Sequence, residues 1–462
     1  MPMLAAFAVP HPPIILPGIG RGEEKRVKKT ADAYRAAMRR VAELQPDTIV
    51  LASPHTVLYA DYFHVSPGTG AKGSFAQFGA LGIDVEAAYD AQFALVLSTT
   101  CARAGLPAGT LGERDKKLDH GTMIPLIFLN EFLNGGYRLM RVGLSGLSAV
   151  EHYRFGELIA KTADALSRRT VFIASGDLSH KLTRDGPYGF DPAGPEFDRL
   201  ATGAMAKGDF LTLLTLDPDL CEQAGECGLR SLWIMAGALD RKKVESELMS
   251  YEGPFGVGYA VASFLPQGAD SGRNVGEQAA LAEREKLARR KEAEDAYVRL
   301  ARHSVEIFVK TGQRAEVLEK LPGELLGIRA GAFVSIKKDG RLRGCIGTIE
   351  PVRENLAQEI LFNAVSAAGE DPRFEPVGPE ELDSLVYSVD VLGAPEDIKS
   401  ERELNPKKYG VIVRRGARRG LLLPDLAGID TAREQVNIAK QKAGIREDEE
   451  VSLQRFVVVR HT

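Results

Sequence analysis

Five side chains in the first half of the chain have the chemistry to hold a metal ion or move a proton. They are His11 in AVPHPPIILPGIG, His55 in SPH, His120 in KLDHGTMIPL, His180 in GDLSH and Glu226 in AGECGLRSLW. Two neutral imidazoles and one carboxylate on one face of a metal leave positions open opposite them. That pattern suits non-haem iron(II) oxygen chemistry, in which dioxygen and a chelating substrate take the open places. A further imidazole nearby serves as acid or base, because its reference pKa lies near physiological pH. Taken singly, each residue has a plainer reading. A histidine after a strand is commonly a loop residue bonded to backbone, and His64 and His152 are read that way. Asp119 and Asp177 read as caps or turn residues, and Cys101 and Cys221 as small buried hydrophobes. Coincidence is the weaker explanation only for His11, His55, His180 and Glu226 taken as a set.

A second constellation lies near the other end, in GRLRGCIGTIE. Cys345 sits between Gly344 and Gly347, with Arg341 and Arg343 close by. Glycines permit close backbone approach, and neighbouring arginines lower the pKa of an exposed thiol. A tight hairpin with a buried cysteine explains the same residues equally well. Asp371 and Arg373 in AAGEDPRFEPV are candidates to join Cys345, or else form a structural loop.

The elements that must position these groups are legible from periodicity. Leu4 to Val9 reads as a strand. In Glu23 to Leu44, Val27, Ala31, Tyr34, Met38 and Val41 recur at spacings of three and four, the stripe of an amphipathic helix. Thr48 to Ser53 (TIVLAS) is a continuous apolar run suited to a buried strand. Strand, helix, strand at these lengths is a βαβ unit with parallel strands, so His11 and His55 leave the sheet at one edge. Leu139 to Ser145, Val150 to Arg168 and Val171 to Ser175 repeat the pattern, and His180 follows. Ligand sites of open α/β sheets gather at the carboxyl ends of the strands. Phe255 to Leu265 reads as a closing strand. Pro266 to Gly276 (PQGADSGRNVG) reads as a linker, and Glu277 to Glu294 as a charged, solvated helix. From Tyr297 the order becomes α+β. Its clearest strands are Ala332 to Ile336, Tyr387 to Leu392 and Gly410 to Val413, with helices over Val352 to Ala368 and Thr431 to Ala443.

Composition narrows the classes. The 462 residues exceed one ordinary domain, and 44% hydrophobic with 26% charged residues is globular usage. A net charge of −4 gives no basic footprint for nucleic acid. The four cysteines form no C-x-x-C pair, which argues against a disulfide framework or a structural zinc site. No stretch reads as a signal peptide or a membrane span. The reading is of a reduced, cytoplasmic protein that binds neither nucleic acid nor membrane.

In order, PHPP, SPH, LDHG, GDLSH and GEC resemble the class III extradiol dioxygenase superfamily, of the protocatechuate 4,5-dioxygenase beta-subunit (LigB) type, with its Memo-like relatives. The resemblance spans roughly Met1 to Leu265. It implies His11, His55 and Glu226 as metal ligands, His180 as the base that takes a catechol proton, and His120 as a donor to dioxygen or substrate. In Memo-like proteins a cysteine near CG can stand in the carboxylate's place, so Cys227 is the rival to Glu226. A carboxylate suits iron(II); a thiolate favours zinc or copper. LRGCIG resembles the AMMECR1 family signature, over Tyr297 to Thr462, which implies a fold but little chemistry; Cys345 is the candidate catalytic residue there on account of its glycine and arginine neighbours. The resemblance implies an α/β fold with an N-terminal, mostly parallel sheet flanked by helices and a C-terminal α+β domain. The expected boundaries are 1–266, a linker and charged helix over 267–296, and 297–462. The expected activity is iron(II)-dependent ring opening of a catechol- or aminophenol-type aromatic by dioxygen. The alternatives are a Memo-like metal-binding scaffold without oxygenase activity, or a modifying enzyme working with a radical-SAM partner. A homo-oligomer is left open.

Overall fold

The computed structural model describes residues 2–112, 117–133, 135–318, 320–338, 340–426 and 428–462. The chain divides into two compact units, residues 1–283 and 284–462.

The first unit contains strands β1 (Met3–Val9), β2 (Thr48–Ser53), β3 (Arg138–Gly143), β4 (Thr170–Ser175), β5 (Lys242–Glu252) and β6 (Tyr259–Ala269). They form one sheet in the order β3-β2-β4-β1-β6-β5. The first four are parallel, and β6 and β5 close one side antiparallel. Both faces are covered, which is why the parallel strands are almost continuously apolar. Phe7, Ile49, Leu51, Val171 and Ile173 fill one layer. Ala6, Val50, Ala52, Phe172 and Ala174 fill the other. Helix α1 (Lys28–Glu43) packs the first layer through Tyr34, Met38 and Val41, after a 3-10 turn over Glu23–Val27. Helices α2 (His120–Asn130), α3 (Ala149–Leu166) and α4 (Leu229–Ala238) complete the cover used below. A Ser148–Glu151 capping box starts α3.

Register is what builds the site. Val9 lies opposite Ser175, and Ala52 opposite Ala174. Strands β1, β4 and β2 therefore end level, and the residues two places beyond each end (His11, Asp177 and His55) emerge at one edge.

Two expectations change. Strand β5 was not foreseen, because KKVESELMSYE alternates charged and apolar residues without an apolar run. The expected linker is partly sheet: β6 continues through Pro266 to Ala269, and a helix begins at Val275. Proline is tolerated there because β1 no longer pairs with β6 beyond Phe264.

The second unit contains α5 (Ala296–Thr311), β7 (Ala332–Lys338), β8 (Arg341–Gly347), α6 (Leu356–Gly369) and β9 (Leu385–Leu392). These are followed by β10 (Glu396–Ile398), β11 (Gly410–Arg415), β12 (Arg418–Leu422), α7 (Ala432–Lys442), β13 (Ser452–Phe456) and β14 (Val458–His461). One antiparallel sheet runs β8-β7-β9-β14, a second β10-β13-β11-β12. Helices α5 and α6 bury Val298, Ala301, Ile360 and Ala364 against Val334, Ile336 and Val389 of the first sheet. Helix α7, opened by a Thr431–Glu434 capping box, covers the second. Among the described residues no helix is long and apolar enough to cross a membrane.

Candidate metal centre

His11, His55 and His120 converge, with one ligand-capable nitrogen of each within 4.8 Å of the others. His11 leaves β1 through Pro10, is 2% exposed, and its amide donates to Asp177 Oδ1 at 2.8 Å. Its Nδ1 lies 2.9 Å from Ser175 Oγ. That hydroxyl gives its own proton to the carbonyl of Gly121 at 2.6 Å. Ser175 therefore accepts from His11 Nδ1, which fixes the tautomer and leaves a lone pair on Nε2. The Nε2 atoms of His11 and His55 are 3.0 Å apart. Two nitrogens on one ion, each at about 2.1 Å, stand about 3.0 Å apart at a right angle and about 3.4 Å apart at the tetrahedral angle. The donor set therefore fits a metal.

His120 enters as the first residue of α2. Asp119 caps that helix, accepting from the amide and the hydroxyl of Thr122. Asp119 also accepts from Ser53 Oγ at 2.6 Å, and Ser53 in turn receives the His55 amide at 3.2 Å. One carboxylate thus ties the loops of two imidazoles together. Burial would raise the Asp119 pKa, but the bonds from Ser53 and Thr122 and the charge of Arg141 outweigh it and keep the pKa low. The imidazoles go the same way for a different reason. Burial first, then mutual repulsion, pushes His11 and His120 down to about 3. Burial also lowers His55. All three are neutral at physiological pH, as metal ligands must be.

Glu226 and Cys227 separate in role. The carboxylate of Glu226 accepts the Leu229 amide at 2.6 Å, at the start of α4, and burial pushes its pKa up to about 7. The structure gathers His120, not Glu226, with His11 and His55. The Cys227 thiol faces the group instead, 3.7 Å from His11 Nε2, and receives the Asp177 amide at 3.3 Å. Burial, Asp177 and Glu226 raise the pKa of that thiol. Asp177 is pushed up to about 6 by burial, against the His11 amide and the charges of His180 and His55.

His180 lies within electrostatic range of His11 and His55. Its Nε2 is buried without a hydrogen-bond partner among the described residues. Its ring stacks on Tyr188 at 5.0 Å, and Phe78 stands edge-on to His120 at 5.4 Å.

A family model described as the catalytic LigB subunit of aromatic ring-opening dioxygenase matches residues 5–262, and an AMMECR1 model matches 298–461. The chain belongs to the LigB family and carries an AMMECR1 domain. A Clostridium acetobutylicum protein is 39% identical over 472 residues, covering 98% of each chain. A Thermotoga maritima protein is 54% identical over 170 residues, 36% of this chain and 98% of that one. Among solved structures, an uncharacterized Pyrococcus horikoshii protein is 34% identical with a TM-score of 0.34, over 36% of this chain and 88% of that one. An Escherichia coli K12 protein is 18% identical with a TM-score of 0.37, over 57% of this chain and 99% of that one.

Cys345 belongs to the AMMECR1 domain. Its amide donates to Asp371 Oδ2 at 2.8 Å, and Arg373 bonds both Asp371 and the Cys345 carbonyl. Arg343 turns to Glu381 at 2.8 Å. In the LigB domain the sequence reading passed over Ser53 and Ser175, which orient the imidazoles. Their signal was present: both buried strands end in Ala-Ser, TIVLAS before Pro54-His55 and VFIAS before Gly176-Asp177.

Proposed function

We propose that the LigB domain is a mononuclear metal enzyme of the ring-opening dioxygenase type. His11, His55 and His120 would hold an iron(II) ion, and a small aromatic with adjacent hydroxyl or amino groups would be the substrate. The observation that carries this reading is the tautomer-fixed lone pair of His11 meeting two further neutral imidazoles. Iron(II) held there would supply Lewis acidity and one-electron chemistry toward dioxygen. The chain's own part is binding and proton transfer. Tyr188 and Phe78 stand beside the imidazoles as flat apolar surfaces for an aromatic ring. His180 is the base: with its pKa lowered by burial it is neutral, and its unpartnered Nε2 receives the proton of a substrate hydroxyl. Asp177 and Ser175 hold His11 in place.

One observation favours a second reading, a metal-holding domain without oxygenase activity. Cys227 stands close enough to His11 to add a thiolate, a ligand suited to zinc or copper(I). Oxygen uptake by anaerobically iron-loaded protein, given a panel of catechols and aminophenols, separates the two. Ring opening expects uptake that His180→Gln abolishes while bound iron stays constant. No uptake with any member, together with metal loss in Cys227→Ala, supports the second reading.

A further inference from the structure

The AMMECR1 domain carries a polar strip on the sheet face that its helices do not cover. Strand parity settles which residues stand there. Val334, Ile336, Tyr387 and Val389 are buried in the core under α5 and α6. Ser335, paired with Cys345 on one side and Ser388 on the other, therefore points to the opposite face, as do its partners. A hairpin needing only a small buried residue at 345 would turn it toward the helices. Cys345 is turned the other way and half-buried, and the Ser335 hydroxyl donates to its sulfur at 3.2 Å. Farther along the same face, Phe333 packs against Ile412, Leu421 and Phe456 and joins the two sheets. The strip is the polar continuation of that apolar plug.

Cations reach this strip from three elements. Arg373 follows α6, Arg460 lies on β14 and Lys442 ends α7; all three are exposed. Each is within electrostatic range of Cys345. Their acidic neighbours are accounted for. Arg373 grips Asp371 through Nε and Nη2, and Arg460 grips Asp390 in the same way. Asp425 also faces Arg460 and shares Lys407 with Asp430, which lies nearer to that lysine. Lys442 has no hydrogen-bond or ion-pair partner among the described residues, so it is the cation of the strip that no carboxylate engages directly. Hydroxyls, a thiol and an ammonium without a direct partner on one sheet face suit an oxyanion.

We propose that this strip binds a small molecule bearing an anionic oxygen group, a carboxylate or a phosphate, which Lys442, Arg373 and Arg460 hold against the Cys345 thiol. The site is independent of the metal reading for the LigB domain and stands or falls without it.

Alkylation of the full-length protein tests it, with each thiol resolved by peptide mass spectrometry. Iodoacetate carries the carboxylate and iodoacetamide is its neutral counterpart, so their rate ratio at Cys345, divided by the ratio for free N-acetylcysteine, reads the local field. The expected ratio is raised roughly tenfold, the lower range of electrostatic steering. Lys442→Gln should return it most of the way to the free-thiol value; this ammonium bonds nothing among the described residues, so the variant should fold normally. Inorganic phosphate and succinate, added separately, should slow iodoacetate in at least one arm, and that arm names the anion class. A ratio equal to that of N-acetylcysteine overturns the proposal. So does a ratio indifferent to Lys442→Gln, or a Cys345 that neither reagent modifies.

Discussion

The two domains treat their ionisable groups in opposite ways. In the LigB domain burial dominates: Asp177 and Asp198 are pushed up to about 6, Glu157 and Glu226 to about 7, and His11 and His120 down to about 3. Among the shifted carboxylates of the AMMECR1 domain pairing decides the direction, although burial still leads at Lys442 and Tyr387. The Arg373 hydrogen bonds hold Asp371 well below the usual carboxylate range. Glu306 and Glu381, which burial alone would raise, are brought down by lysine and arginine neighbours. Burial keeps side chains neutral, and neutral imidazoles with free lone pairs are what a cation requires. Pairing keeps charges at the surface, where they can attract an anion. Asp119 is the exception in the LigB domain, a buried carboxylate kept ionised by Ser53, Thr122 and Arg141, and it is the one that positions the His55 and His120 loops.

The strongest challenge to this contrast is to unpair a buried charge in the domain that relies on pairing. Arg302 is 8% exposed and meets Glu294, 4% exposed, through Nε at 3.0 and 2.9 Å, with the Tyr387 ring 4.6 Å from its guanidinium. Arg302→Ala leaves Glu294 buried and alone, which costs about 3–5 kcal/mol. Calorimetry of the full chain should show the AMMECR1 transition move down and the LigB transition hold.

In the LigB domain the matching change removes an orienting bond. Ser175→Ala frees the His11 ring and lowers metal affinity by roughly 10–100-fold, the usual effect of losing a group that orients a ligand. Competition with a chelator of known affinity measures this, and an unchanged affinity would mean that the Ser175 bond does not set the tautomer.

A smaller effect sharpens the role of burial. Glu157, raised by burial and then by Asp240, is protonated in the folded state at pH values where it is ionised when unfolded. The folded state therefore binds more protons between about 4.5 and 7, and stability from this group falls as pH rises through that window. Glu157→Gln keeps a donor toward Asp240 and has no proton to lose. Relative to wild type it should gain little at pH 5 and about 1–3 kcal/mol near pH 8.5 in denaturant titrations. A gain that does not depend on pH would remove burial as the cause.

Much of this was legible in the sequence. Strand, helix, strand over Leu4–Ser53 gave parallel strands, and parallel strands ending level put His11 and His55 together. LRGCIG marked the Cys345 hairpin. Two things were not legible. One is which side chain the start of α4 turns toward His11: the Leu229 amide needs an acceptor, Glu226 supplies it, and the adjacent thiol faces His11. That choice is made by tertiary packing, not by spacing. The cations near Cys345 were not legible either. Arg341 and Arg343 flank it in sequence, yet Arg343 turns to Glu381, while Lys442 and Arg460 arrive from about a hundred residues away through sheet order.

The most direct test of the metal centre compares bound metal in His120→Ala and Glu226→Gln, purified anaerobically, loaded with iron(II) or zinc and read by elemental analysis. If His11, His55 and His120 are the ligands, His120→Ala retains little metal and Glu226→Gln binds one ion per chain like the wild type. Full metal content in His120→Ala with an empty site in Glu226→Gln would contradict the three-histidine centre and make the carboxylate a ligand.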